Sequence, residues 1–167
     1  IRKDDEVIIP DLTFVADANA VLACNAKPVV ADINKENFFL SISNVKKNIT
    51  KKTKAIIPVH IYGQVCNIDE ILDLAKDHNL KVVEDCAHAV GTFHKSKHVG
   101  TLGNTGCFSF YPTKNITTAE GGMVITNSKE IAEKVRQLRS HGMTKSLKSR
   151  YSSEYPWVFD IVEPGYN

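Results

Sequence analysis

Residues 54–87 read KAIIPVHIYGQVCNIDEILDLAKDHNLKVVEDCA, and the order of patterns within them decides the fold. Lys54 to His60 hold a continuous β-branched run bounded by Pro58 and a polar end, which predicts a buried strand. Ile68, Ile71, Leu72 and Ala75 then recur at i, i+3, i+4 and i+7, one face of a helix. Asn67 stands where a cap belongs, Asp69 and Glu70 suit the positive helix start, and Asn79 suits a left-handed stop. Lys81 to Ala87, KVVEDCA, returns to a strand pattern. A strand, a helix and a strand in succession form the repeating unit of an α/β protein with a mostly parallel sheet.

The same alternation continues on either side. Upstream, EVIIP (Glu6–Pro10) and KPVVAD (Lys27–Asp32) read as short strands. Between them VADANAVLAC has small and apolar residues at helical spacing and ends near Asn25. Downstream, GTFHKSKHVG reads as a hairpin excursion, and GCFSFY and GMVIT as two more strands. NSKEIAEKVRQLRSHG is a helix whose Asn127 and Glu130 have capping-box spacing and which Gly142 ends. No helix separates GCFSFY from GMVIT, so that part of the sheet is expected to be mixed. Thr144 to Val162 are polar and irregular and read as a long loop or lid. No internal repeat or low-complexity segment is visible.

Composition narrows the class. The chain has 167 residues and a formal charge of +2, which is one domain in length and too little charge to argue for nucleic acid. The lysine pairs Lys46–Lys47 and Lys51–Lys52 are expected to solvate loops. No apolar stretch is long enough to span a membrane, and the start, IRKDDEVIIP, has no signal-peptide pattern. Both ends read as cut, so the chain is expected to be an internal piece of a larger protein. Cys24, Cys66, Cys86 and Cys107 lack CxxC spacing and lie in small or apolar contexts, as reduced thiols of a cytoplasmic protein do.

Ligands of open α/β sheets collect at the carboxyl ends of the strands. Asp85 closes KVVED, His60 closes AIIPVH, and Ser109 and Lys114 lie in and just after CFSFY. His88 follows Asp85 by three residues, so one turn could bring both to one ligand. Taken singly, each has an ordinary reading: Asp85 as a cap, His88 as a satisfied buried ring, Lys114 as a surface cation. His94 and His98 lack a third ligand, so no metal is expected. There is no GxSxG, GxGxxG or GxxxxGK[ST]. Together the residues fit one chemistry. A lysine amine can condense with the aldehyde of pyridoxal phosphate, and a carboxylate, Asp85, would keep its pyridine nitrogen protonated. Ser109 would donate to the phosphate, and Phe14 would stack on the ring.

The stretches PDLTFVADANAV, AIIPVHIYGQVCNIDEI, VVEDCAHAVGTFHKSKHVGTLGNTGCFSFYPTKNITTAEGGMVITN, LRSHGM and VEPGYN closely resemble the DegT/DnrJ/StrS family, along essentially the whole chain and in order. These are pyridoxal-phosphate-dependent nucleotide-sugar aminotransferases of the type I aminotransferase fold. The resemblance implies that Lys114 in PTKN binds the cofactor aldehyde and is the catalytic residue. It implies that Asp85 in EDCAHA pairs with the pyridinium nitrogen and that His88 contacts the ring oxygen. It implies that Ser109 in FSF binds the phosphate, that Phe14 stacks, and that Asn167 in GYN reaches the phosphate of the neighbouring subunit of a homodimer. The family's sugar dehydratases carry histidine at the position of Lys114, so lysine here favours amino transfer. The chain, residues 1–167, corresponds to the central part of the cofactor-binding large domain. A preceding Gly-Thr phosphate cradle and a following small domain are expected outside it. The implied substrates are a nucleotide-linked deoxysugar bearing a keto group and an amino donor, glutamate. A pyridoxal-phosphate enzyme acting on a non-nucleotide ring, and a non-catalytic relative serving as a sensor or binding module, are the alternative readings.

Overall fold

The computed structural model describes residues 1–144, 151–152, 154–155 and 157–166. The chain divides into two compact units, Ile1–Ile125 and Thr126–Asn167.

The first unit is built on a six-stranded sheet in the order β2-β1-β3-β4-β7-β8. Its strands are β1 (Glu6–Pro10), β2 (Lys27–Ala31), β3 (Thr53–Ile56), β4 (Lys81–Asp85), β7 (Thr105–Ser109) and β8 (Gly122–Ile125). The pairs from β2 to β7 are parallel, and β7 with β8 is antiparallel, the mixed edge expected where no helix intervenes. Helices α1 (Ala16–Ala23), α2 (Ile42–Asn48) and α3 (Ile68–Asp77) make the crossovers, and a two-stranded hairpin, β5 (Phe93–His94) with β6 (Lys97–His98), projects between β4 and β7.

Strand alternation sorts the core into two layers. Ile8, Ile56 and Val82 are register neighbours across β1, β3 and β4 and pack with Val45 of α2 and Ile71, Leu74 and Ala75 of α3. Val7, Ile9, Ala55 and Ile57 point the other way and pack with Val21 of α1. A strand flanked by both layers must be apolar on both faces, and all five residues of β1 are buried. Each fully buried aliphatic side chain contributes about 1.5–3 kcal/mol.

Several local expectations are corrected. The strand expected over Lys54–His60 ends its regular pairing at Ile56. Pro58 has no N–H to give the ladder, although its carbonyl accepts from Asp85 N–H (2.9 Å) and His60 N–H reaches the Asp85 carbonyl (3.0 Å). Lys46 and Lys47 lie in the last turn of α2, not in a loop, where cations suit the negative helix end. Asn67 makes no side-chain cap, whereas Asn79 adopts the expected left-handed turn at φ 53°.

In the second unit, α4 (Lys129–Leu138) is capped by Ser128, one residue later than expected: its Oγ accepts from Ile131 N–H (3.3 Å). Gly142 turns the chain at φ 74°, and its N–H bonds the Gln137 carbonyl (3.0 Å). The returning segment pairs Met143 with Ile161, donates Tyr166 N–H to the Leu138 carbonyl (2.7 Å) and pairs Glu163 with Lys134. The expected loop or lid, Thr144 to Val162, includes residues 145–150, 153 and 156, which lie outside the described residues.

Candidate active site

The carboxyl ends of β1, β4 and β7 and the start of the antiparallel β8 lie at one end of the sheet, where Asp85, His88, Ser109 and Lys114 are found. Asp85 ends β4, half-buried, on the α1 side of the sheet. Its Oδ1 accepts Ala87 N–H (2.8 Å), which turns the chain sharply after the strand. That turn carries His88 back toward the strand end.

Lys114 is held by the turn Tyr111–Pro112–Thr113–Lys114, closed by Lys114 N–H to the Tyr111 carbonyl (3.0 Å). Proline suits the second position of such a turn. The base of the loop is pinned at Phe110: its N–H bonds the Gly121 carbonyl (2.8 Å), and its carbonyl accepts Thr118 N–H (3.0 Å) and Thr117 Oγ1–H (2.9 Å). The glycine pair answers a packing need, since a side chain at Gly121 would run into Thr118 Oγ1. The lysine is thus half-buried on a tethered loop between two paired strands.

The electrostatics bind these groups together. Burial pushes the His88 imidazole below its ordinary pKa, the Lys114 charge adds to this, and Asp85 opposes it. Asp17 on α1 was absent from the sequence reading, yet it faces the same place. Burial and then the Asp85 charge push its carboxyl up to about 6, against the hydrogen bond it accepts from Thr13 Oγ1 (2.6 Å). Cys107, the register partner of Asp85, is raised to about 11 by burial and by the charges of Asp85 and Asp17.

The other predicted residues fall as follows. Ser109 closes β7, and its Oγ accepts Tyr111 N–H (3.3 Å), which leaves its own proton to donate. Phe14, between β1 and α1, is 73% exposed, a ring with its faces open. Asn167 lies outside the described residues. His60 leaves the site: it is fully buried, and its Nε2 lies 2.9 Å from Glu84 Oε2. Its Nδ1 accepts Cys66 N–H (3.2 Å), so the bond to Glu84 is donated by Nε2–H.

His60, Glu84 and Cys86 bring metal-type atoms within 4.8 Å of one another. Both imidazole nitrogens are used, and the Glu84 oxygens also accept Gly100, Leu102 and Gly103 N–H at 2.6–2.8 Å. Burial raises the Cys86 thiol pKa, with Glu84 adding to it, so the sulfur keeps its proton. This cluster is a closed hydrogen-bond network. His94, weighed as a ligand, instead meets Asp69 (2.9 Å) beside Lys95.

An amine, a neutral imidazole, a carboxylate with an oxygen to spare and a hydroxyl, gathered at the carboxyl ends of a mostly parallel sheet, fit pyridoxal phosphate. Fold and donor set together define the class of the type I aminotransferases. The chain belongs to the DegT/DnrJ/EryC1/StrS aminotransferase family, whose profile matches residues 1–167. It is 50% identical over 143 residues to GDP-perosamine synthase of Caulobacter vibrioides, covering 86% of this chain and 38% of that protein. It is 44% identical over 166 residues to the spore coat polysaccharide biosynthesis protein SpsC of Bacillus subtilis, covering 99% and 43%. The crystal structure of the aminotransferase from Psychrobacter cryohalolentis superposes with a TM-score of 0.90 at 35% identity, over 100% of this chain and 42% of that one. The chain thus spans about two fifths of the length of these relatives.

Tyr62 and Asp17 escaped the sequence reading. Asp17 sits among the small residues of VADANAV and reads as a favourable first-turn acid. Only the charge of Asp85, which acts on it, gives it another meaning. Tyr62 stacks on His88 through a backbone turn that no periodicity announces.

Proposed function

We propose that the protein is a pyridoxal-phosphate-dependent aminotransferase that transfers an amino group from glutamate to a keto carbon of a nucleotide-linked deoxysugar. The convergence of Lys114, His88 and Asp85 at one strand edge carries this reading. The family and the name of the perosamine synthase relative support the substrate class.

Pyridoxal phosphate, when bound, supplies an aldehyde that captures amines and a ring that accepts an electron pair from the adjacent carbon. The chain's own groups do the rest. Asp85, its Oδ1 fixed by Ala87, offers its remaining oxygen to the pyridine nitrogen and holds that nitrogen's proton in a charge-assisted bond. His88 stays neutral and donates an N–H to the ring oxygen. Ser109 donates to a phosphate oxygen, and Phe14 covers one ring face. Lys114 would hold the cofactor by condensing with its aldehyde, with loss of water, and its amine, when free, would move the proton between the substrate carbon and the cofactor carbon. A positioned base of this kind is worth about 10²–10⁴ in rate.

The same reading makes the protein a cytoplasmic homodimer in which Asn167 completes the neighbouring subunit's phosphate site. Free cysteines at all four positions agree with that compartment. Among the described residues, no helix is long and apolar enough to cross a membrane.

The test is Lys114→Ala in the full-length protein. The visible absorbance of covalently held cofactor and amino transfer to a nucleotide-ketosugar should both disappear. Normal turnover by this variant sinks the assignment. Mixing Lys114→Ala chains with Asn167→Ala chains should restore one intact site per heterodimer, and mixed dimers without activity would remove Asn167 from the shared site.

A further inference from the structure

Tyr62 holds a conformation that bulky residues seldom adopt: φ 54°, ψ 25°, in the short turn Ile61–Gly63 that follows β3. The turn is pinned to the segment after β4. Thr92 Oγ1 donates to the Gly63 carbonyl (3.0 Å), and a Cβ at Gly63, itself at φ 80°, would come within 3.2 Å of the His88 carbonyl oxygen. Two contacts then run from Tyr62 to His88. Its backbone N–H reaches His88 Nδ1 at 3.3 Å, and its ring lies nearly parallel to the imidazole, at 14° and 5.8 Å between centroids.

We propose that Tyr62 is a positioning residue for His88: its N–H fixes the proton of the imidazole on Nε2, and its ring fixes the imidazole plane. An amide N–H bonds only to a lone pair, so Nδ1 is the unprotonated nitrogen and Nε2 carries the hydrogen. The charged groups acting on the ring are Lys114, which disfavours a second proton, and Asp85, which favours one. Burial adds its weight to Lys114. His88 is therefore a neutral donor of fixed direction. The opposite tautomer would turn Tyr62 N–H against another N–H and offer the site a lone pair, which repels an anionic ring oxygen.

The use of that donor rests on the proposed cofactor chemistry, but the tautomer is a property of the cofactor-free protein and is tested there. In full-length protein uniformly labelled with ¹⁵N, NMR at pH 7 should show His88 as the Nε2–H tautomer. A through-bond coupling should connect its Nδ1 to the Tyr62 amide nitrogen. Tyr62→Phe and Tyr62→Ala both keep the backbone N–H and should both keep the Nε2–H tautomer. Tyr62→Ala alone loses the ring and should broaden or shift the His88 ring resonances as the imidazole plane comes loose. In the cofactor-loaded protein, Tyr62→Ala should also bind cofactor roughly tenfold more weakly, because the His88 N–H is no longer aimed by the Tyr62 ring, while Tyr62→Phe should bind as the parent does. A His88 proton on Nδ1, or a doubly protonated ring at pH 7, overturns the assignment. So does a Tyr62→Ala protein that keeps the parent's His88 ring resonances or full cofactor affinity. A protein with the expected tautomer that binds no pyridoxal phosphate would overturn the functional reading and leave this one standing.

Discussion

Glu84 and Asp85 are consecutive carboxylates on one strand, and the pleat sends them to opposite sides of the sheet. Glu84 turns toward the α2–α3 layer and is fully buried, with His60 and three backbone N–H groups as donors. Asp85 turns toward α1, stays half-buried, and has one oxygen bonded to Ala87 while its charge acts on Asp17 and His88. One carboxylate is saturated by the fold and the other is left with capacity for a ligand. A saturated carboxylate holds structure. An acid with an unspent oxygen, surrounded by groups whose pKa values it moves, is where chemistry is expected.

The contrast breaks most visibly at Glu84. Glu84→Ala leaves His60 and the Gly100, Leu102 and Gly103 amides buried without an acceptor, and should cost about 3–5 kcal/mol of stability. Denaturant unfolding measures this, and a loss under ~1 kcal/mol would show that water or repacking replaces the carboxylate. Burial opposes ionisation of Glu84, but the His60 bond and the Gly103 and Gly100 amides hold its pKa below the ordinary value. Its contribution is therefore present above the unfolded pKa and fades as pH falls through the lower folded one.

Asp85→Asn should do the reverse. The amide still accepts Ala87 N–H, so stability should move by less than ~0.5 kcal/mol, as at other sites without a buried partner to orphan. Amino transfer in the full-length protein should slow by about 2–3 kcal/mol in barrier, the scale of a hydrogen bond to a charged group. Cofactor retention and single-turnover rates separate the two effects. Near wild-type rates would show that another group holds the ring proton.

Asp17 sharpens the comparison by the smallest amount. Its folded pKa of about 6 lies above the ordinary 3.8. Its contribution to folding is therefore whole below the lower value and is lost as pH rises through the higher one. Asp17→Asn keeps the acceptor for Thr13 and removes the charge that faces Asp85. The variant should match the parent near pH 3.5 and exceed it at pH 8 by ~1 kcal/mol, once solvent screening is allowed for. Thermal melts across this range decide it, and equal curves at pH 8 would show that burial and the Asp85 charge do not hold the Asp17 carboxyl above its ordinary pKa.

The legible and illegible parts divide along similar lines. The α/β alternation could be read because β1, β3, β4 and α3 each bury continuous or periodic apolar faces, and that need is written locally. α2 was missed because seven residues with one buried side chain, Val45, give too short a period to see. The placement of Asp85, His88 and Lys114 was legible because strand ends and turns set it, and Pro112 and the glycine pair mark the lysine's loop. The places of Asp17 and Tyr62 were not, because a crossover helix and a left-handed turn bring them to a distant strand end. His60 was misjudged for a related reason. Its position at a strand end was readable, but the bond to Glu84 on the neighbouring strand was not.

The loop at Gly100–Gly103 has no regular secondary structure, yet its amides are sewn to Glu84, while the hairpin tip at Lys95–Ser96 lies outside that seam. The tip meets α3 through the pairs of His94 and Lys95 with the exposed Asp69, which are worth little individually. Its two residues already adopt positive φ, 46° and 67°, in a turn bounded by the short antiparallel pair. Added chain at that tip meets no buried backbone and leaves the seam beneath it closed. The hairpin is thus a port for grafted sequence, at which a tag, a loop or a small domain can be spliced without moving the strand ends that bear Asp85 and Ser109.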